Sequence, residues 1–420
     1  MRRRMGYAVL AASALCLATL ASCGGKKPAG SIKALNWGTE QEAAVWNELA
    51  AAFTKKTGIK VEIETAEWSV YWDKINTLYA AGTPPEVFAM DAPLFMDWYS
   101  RGALASLQGY IDREKGFLEG VYPQTLAAYR TPEGFYGLPR DFQTVALFYN
   151  KDMFDAAGLG YPDESWTLEE LRAAARKLTS KGPDGKIKQW GLQADLWDIE
   201  TFMSEVVWAY GGEIMSADMS KTAIADKMEP WKLIAAMVQE DKSIPDQDSL
   251  SQYGSDAFLA GKAAMITTGH WMVPSYAPVS FKWAVAPFPK GPAGRVTSIN
   301  SAGFVMAKGC KNPDAGWEWI KYVMSKEGQT KLAELGFAIP TRRDVAEGPA
   351  FLEQAIKIDH KLFLDAVEYA RVKPVFKGYD RWSSAFGESM AGIYKPGAKV
   401  EAVVSAAAQA ADAALAGAGK

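Results

Sequence analysis

Histidine and cysteine are the residues this chain nearly does without. Only His270 and His360 occur in 420 residues, which argues against histidine-based acid–base catalysis and against a zinc site. Of three cysteines, Cys16 and Cys23 belong to the extreme N-terminus, so Cys310 alone remains in the body of the chain. A single thiol forms no internal disulfide and no metal cluster, and Cys310, in the turn Lys308-Gly-Cys-Lys-Asn-Pro, is assigned no function. Basic charge is also short. Without Arg2, Arg3 and Arg4, 43 basic residues face 49 acidic ones, a net charge near −6. With no basic stripe, nucleic acid is excluded as a partner. No Gly-rich phosphate cradle occurs, and no internal repeat or low-complexity segment stands out apart from an Ala-rich C-terminal helix. Beyond the N-terminus no apolar run reaches membrane-spanning length.

What is present begins with a leader. Arg2-Arg3-Arg4 is a positive n-region, and Tyr7 to Leu20 is an apolar run too short for a membrane span and suited to a signal peptide. Residues 1–22 are therefore read as cleaved. Leu20-Ala21-Ser22-Cys23 resembles the bacterial lipobox, which makes Cys23 the expected lipid-carrying residue. Residues 23–30 have linker composition. The remaining chain, about 390 residues and nearly half apolar, is long enough for two domains. Fifteen tryptophans are well above ordinary usage; indoles serve cores and interfaces, and their flat faces also stack on sugar rings.

Ile32 to Trp37 reads as a strand, and Thr39 to Lys56 as an amphipathic helix with Thr39 as N-cap, ended by Thr57-Gly58. Strand 59–63, helix 69–81, the turn Gly82-Thr-Pro-Pro85 and strand 87–90 follow, leading to Asp91. This alternation predicts an α/β domain with a mostly parallel sheet. Val145 to Tyr149 is a short buried strand between Pro139 and Asn150, with Arg140, Asp141 and Gln143 at its mouth. A second α/β region continues with a capped helix over 165–180, a strand over 190–194, a helix over 201–210 and another after Pro230. Phe258 to Trp271 is a helix end followed by a strand. Strand 298–307, helix 314–324 and a short strand 337–340 come next, and the remainder is mostly helical.

Six stretches in order carry a resemblance. They are Phe53-Thr-Lys-Lys-Thr-Gly-Ile-Lys-Val61, Gly82-Thr-Pro-Pro-Glu-Val87, Phe135-Tyr-Gly-Leu-Pro139 through Leu147-Phe-Tyr-Asn-Lys-Asp152, Ala257 to Met265 before Gly269-His-Trp271, Ala315 to Gly328, and Ala338-Ile-Pro-Thr-Arg342. Together they resemble the family 1 extracellular solute-binding proteins of ABC importers, the group that includes maltose-binding protein. The resemblance implies the two-lobed periplasmic-binding-protein fold of α/β class, with discontinuous lobes joined by a hinge and a ligand cleft between them. The N-terminal lobe would comprise 31–139 and 296–345, and the C-terminal lobe 140–295 and 346–420.

It also implies cleft residues. Glu40 follows the first strand, where the family presents a carboxylate to sugar hydroxyls; a helix N-terminus favours acids too. Asp91 sits at a strand's carboxyl end, where open sheets bind ligands. Gln143 matches a family position that holds a carboxylate, so this chain departs there by using an amide. Arg140 and Asp141 are either ligand contacts or a hinge salt bridge. Trp271 is the expected stacking aromatic of the second lobe and Trp382 a second one. Asp195 and Trp197 lie past a strand end, Trp37 and Trp68 are candidate walls, Asn300 and Ser301 lie on the re-entry strand, and Arg342 or Arg343 would close the cleft edge. Trp46, Trp98, Trp208, Trp231, Trp317 and Trp319 are read as packing.

The expected function is capture of a carbohydrate, an oligosaccharide foremost, by lobe closure and its delivery to an ABC permease. The protein would be a monomer held extracytoplasmically on the membrane by its lipid alone, with no cofactor and no metal. The alternatives are the same fold serving a non-sugar polar solute, or a lipoprotein glycosidase using two of Glu40, Asp91, Asp141 and Asp195.

Overall fold

The computed structural model describes residues 30–417. The stretch expected as a signal peptide, Cys23 and the expected linker up to residue 29 lie outside them. The chain opens as a strand (β1, Ser31–Trp37), a helix (α1, Glu40–Thr57), a strand (β2, Lys60–Ala66), a helix (α2, Trp68–Ala80) and a strand (β3, Val87–Asp91). Thr39 is the N-cap of α1: its hydroxyl accepts from Glu42 N at 3.3 Å, while Glu42 Oε2 accepts from Thr39 N at 2.7 Å. This reciprocal capping box satisfies two otherwise orphaned donors. Trp46, Leu49, Ala50 and Phe53 form the buried stripe of α1, and Gly58, at φ 75°, ends it in the left-handed conformation glycine favours. Thr39→Ala removes the hydroxyl half of the box and is expected to cost about 1 kcal/mol in urea denaturation. A loss near zero would mean that the cap contributes nothing to the fold.

The main sheet has eight strands. The other five are β4 (Gly137–Asn150), β5 (Met265–Gly269), β6 (Trp283–Pro287), β7 (Thr297–Met306) and β8 (Ala370–Val372). β1 pairs parallel with β2 and β3, as the sequence predicts for the first unit. Beyond β3 the sheet turns antiparallel through β7, β4, β5 and β6, so it is mixed. β4 is the element that ties the molecule together. Its first half pairs with β7 from Gly137 to Thr144, and its second half pairs with β5 on one side and β6 on the other.

The sequence places this strand only at 145–149, because a charged pair beside a proline resembles a loop. The strand instead runs through Arg140 and Asp141, both buried. Pro139 is opposite Gly303 and Asp141 opposite Ala302, which leaves Arg140 as an extra residue in a β-bulge. A bulge tolerates proline next to it and re-aims the side chain it carries. Residues 190–194, expected as a strand, make only the isolated bridges Trp190↔Ala263 and Gln193↔Ile266. The ladder breaks because Leu192 N turns to Ser243 O and the Gly191 backbone lies against Ala175, where an added Cβ would stand 1.8 Å from Ala175 O. Residues 337–340 likewise reduce to one bridge, Phe142↔Ile339.

Two large hydrophobic cores account for two lobes. One gathers β1, α1, β3 and Leu138 with Phe304 to Met306, Trp317, Trp319 and Phe337. The other gathers Val145, Leu147, Leu192, Trp208 and Trp231 with Trp382, Phe386 and Ala407 from two C-terminal helices, α3 (Tyr379–Met390) and α4 (Val400–Gly417). A third cluster around Phe142, Phe148, Tyr276, Ile299 and Phe363 flanks the crossing strands. The lobes are also stitched by polar contacts: Asp97 of the first accepts from Gly378 N at 2.6 Å, at the start of α3. The six tryptophans read as packing are all buried. No helix among the described residues is long and apolar enough to cross a membrane.

Candidate ligand-binding site

A cavity of about 330 Å³ opens where β3, β4 and β7 meet between the lobes. Its floor is polar. Asp91, the last residue of β3, is buried and receives a long hydrogen bond from Asn300 Nδ2 of β7 at 3.4 Å. Arg140, Asp141 and Gln143 of β4 complete it. Gln143 is 7 % exposed and its Oε1 has no partner, nor has Oδ1 of Asn300. Buried amide oxygens without partners cost free energy unless something donates to them.

Arg140 is the electrostatic anchor of this floor. Its Nε donates to Asp141 Oδ2 at 3.0 Å and its Nη1 to Asn36 Oδ1 at 2.9 Å. The guanidinium sits 4.6 Å from the Trp37 ring and 4.9 Å from Trp46, with Phe304 and Phe337 close behind. Of the two readings open for Arg140-Asp141, the buried salt bridge is present, and both residues also line the cavity. Burial raises the Asp141 carboxyl to about 6, outweighing the pull of Arg140. A carboxyl raised above its unfolded value stabilises the fold below that value and loses the contribution as pH rises through the folded one. Wild type should therefore lose stability relative to Asp141→Asn between about pH 4 and pH 6. A difference that does not change with pH would contradict this. Asp91 is also raised by burial, against the opposing pull of Lys373.

The walls are aromatic and come from both lobes. Trp37 ends β1 and meets Trp68 edge to face, with centroids 5.0 Å apart at 88°. Trp68, the first residue of α2, is 47 % exposed. From the second lobe comes Trp271, just after β5. Its ring folds over Gly269, where an added Cβ would lie 1.8 Å from Trp271 Cζ3. Only glycine allows that approach. Behind Trp271 the two histidines of the chain meet: His270 Nε2 is 2.9 Å from His360 Nδ1, and His360 Nε2 is 2.8 Å from Ile356 O. Since a carbonyl only accepts, His360 donates from Nε2 and His270 donates to its Nδ1. Burial lowers both imidazoles below their ordinary range.

Aromatic faces on opposing lobes over a polar floor describe a cleft for a small polar ligand, and the similarities of the chain agree. The model of the bacterial extracellular solute-binding protein family matches residues 37–330. The chain belongs to this family. Among curated relatives, a binding protein of Brucella abortus is 27 % identical over 378 residues, covering 88 % of this chain and 89 % of its own. The maltodextrin-binding protein of Bacillus subtilis is 24 % identical over 333 residues, 76 % of each chain. Among solved structures, an ABC substrate-binding protein of Listeria monocytogenes in complex with cycloalternan superimposes with a TM-score of 0.84 at 23 % identity, covering 93 % of this chain and 99 % of that one. The GacH receptor of Streptomyces glaucescens, solved unliganded and with acarbose, gives 0.79 at 23 % identity over 93 % and 99 %. These structures fix the fold as the two-lobed one of solute-binding proteins.

For a solute-binding protein, the remaining candidates divide by position. Trp37, Trp68, Asp91, Arg140, Asp141, Gln143, Trp271 and Asn300 line the cavity; the other five do not. Glu40 is the exposed first residue of α1, and Glu42, about half a turn further on, lines the cavity in its place. Asp195 accepts from Trp197 N at 2.8 Å and caps its own turn, while Trp197 rests its backbone on Gly387. Arg342 bonds Asp344 at 3.0 Å. Trp382 is wholly buried, donates to Thr222 Oγ1 at 2.8 Å and stacks on Phe386 at 5.7 Å. It belongs to the second core because Phe376, Tyr379 and Phe386 surround it. Glu67, Glu200 and Ser275, none of them expected from the sequence, also line the cavity. No local signal marks them, although Glu42 was legible as the acidic end of the capping box. Among the described residues no group of three acidic, histidine or cysteine side chains is placed to hold a metal ion.

Proposed function

We propose that this protein is an extracytoplasmic lipoprotein that binds a carbohydrate between its lobes and hands it to an ABC permease. The observation that carries the reading is the pairing of Trp37 and Trp68 on one lobe with Trp271 on the other, over a floor of amides and carboxylates. A sugar ring has apolar C–H faces that match indole and an equator of hydroxyls that matches amide and carboxylate oxygens. The unpartnered oxygens of Gln143 and Asn300 are acceptors for such hydroxyls. Contacts made with both lobes at once favour the closed state, because only differential affinity shifts a conformational equilibrium. The named saccharide ligands of the similar proteins support the same class. The lobes are taken as 31–139 with 296–345 and 140–295 with 346–420, the anchor as the lipidated Cys23, and the protein as a monomer. Asp141 is committed to Arg140 and Asp91 faces Asn300, an arrangement that supports binding over hydrolysis.

The test is a thermal-shift and tryptophan-fluorescence screen of residues 31–420 against mono- and oligosaccharides, polyamines, amino acids and phosphorylated compounds. A ligand of the folded state raises its melting temperature by mass action. A saccharide that moves both signals is the expected result. A response to a non-sugar alone would keep the fold and overturn the ligand class.

A further inference from the structure

The charges around the cavity do not balance. Glu42, Glu67, Asp91, Asp141 and Glu200 line it, and Arg140 is the one basic residue among the described lining residues. Arg140 spends its charge inward: it is 2 % exposed, bonded to Asp141 and Asn36, and ringed by aromatic faces. A second cation, Lys373, lies buried behind the floor, paired with Glu200 and acting also on Asp91 and Asp198. Burial pushes this ammonium below its usual range, and Glu200 is its one ion-pair partner among the described residues. Glu42 meets only the neutral Thr39 N–H. Glu67 is exposed, makes no capping bond at the start of α2 and takes part in no ion pair among the described residues. It stands next to the exposed ring of Trp68. Gln143 provides an independent mark of a ligand here, a side chain 7 % exposed whose Oε1 accepts from nothing.

We infer that the cavity selects a carbohydrate carrying positive charge, an amino sugar with a free ammonium group, over its neutral and acidic counterparts. This rests on the carbohydrate reading given above. An ammonium gains from unpaired carboxylates in a partly enclosed cleft and from the faces of adjacent indoles, and its N–H groups suit the unpartnered amide oxygens. A uronate or sugar phosphate meets the same carboxylates as like charges and is repelled.

The experiment is equilibrium titration of residues 31–420 with glucose, galactose and mannose oligosaccharides of two to four units, alongside their glucosamine- and galactosamine-containing counterparts, the N-acetylated forms of these and uronate-containing counterparts, at low salt and at about 150 mM salt. The expected result is that the tightest ligand bears a free amine, binds about tenfold more tightly than its N-acetylated form, and loses part of that advantage in the higher salt. Glu67→Gln, at an exposed position with no hydrogen bond to lose, should reduce the amine-to-neutral affinity ratio. A tightest ligand that is neutral or acidic, or an amine preference unmoved by both salt and Glu67→Gln, overturns the inference and leaves the carbohydrate reading intact. If no saccharide binds and another solute does, both fall.

Discussion

Replacing Arg140 by alanine is expected to lower the unfolding free energy by about 3–5 kcal/mol. The guanidinium is buried, and removing it leaves the buried Asp141 carboxylate and the Asn36 amide oxygen without their donor. An uncompensated buried charge is among the few causes of losses this large. The indoles of Trp37 and Trp46, the first of them a cavity wall, also lose the cation that packs against their faces. Arg140→Lys should rescue only part of the loss, since a single ammonium does not reproduce the planar fork that reaches Asp141 and Asn36 together. Urea denaturation followed by circular dichroism reads the result. A loss below about 1 kcal/mol would place the pair with ordinary exposed ion pairs and deny it the anchoring role.

The second large effect concerns ligand rather than fold. Trp271→Ala is expected to weaken saccharide binding about 30-fold or more, the scale of an aromatic hot spot at 2 kcal/mol. The free protein should melt close to wild type, because Trp271 is a partly exposed wall of the cavity and not a core residue. Gly269→Ala is the companion. An added Cβ would stand 1.8 Å from the indole, so the ring must move although nothing on it has changed. Weakened binding in both variants assigns the effect to the position of the ring. Wild-type affinity in Trp271→Ala would remove this residue from the site.

How far these features could be read from the sequence differs from residue to residue, for physical reasons. Thr39 with Glu42, and Gly58 past the last turn, announce α1 because caps act through neighbours in the chain. The β1 to β3 unit follows from the same local logic. The full length of β4 was hidden because Arg140 and Asp141 look solvated until each is seen to neutralise the other. Trp382 and Trp271 are equally aromatic on paper. One is enclosed by Phe376, Tyr379 and Phe386, and the other is turned to the cleft by Gly269, and tertiary packing alone decides between them. Glu40 and Glu42 differ by half a helical turn, enough to put one in solvent and the other on the cavity. The meeting of His270 with His360, 90 positions away, carries no sequence signal.

Whether a carbohydrate is held in the cavity between the lobes is decided by a crystal structure of residues 31–420 with the saccharide returned by the screen. One sugar is expected in this cavity, with its ring against Trp271 and hydroxyls on Gln143, Asn300 or Asp91, touched by residues of both lobes. A sugar bound elsewhere, or contacted by one lobe only, would contradict it.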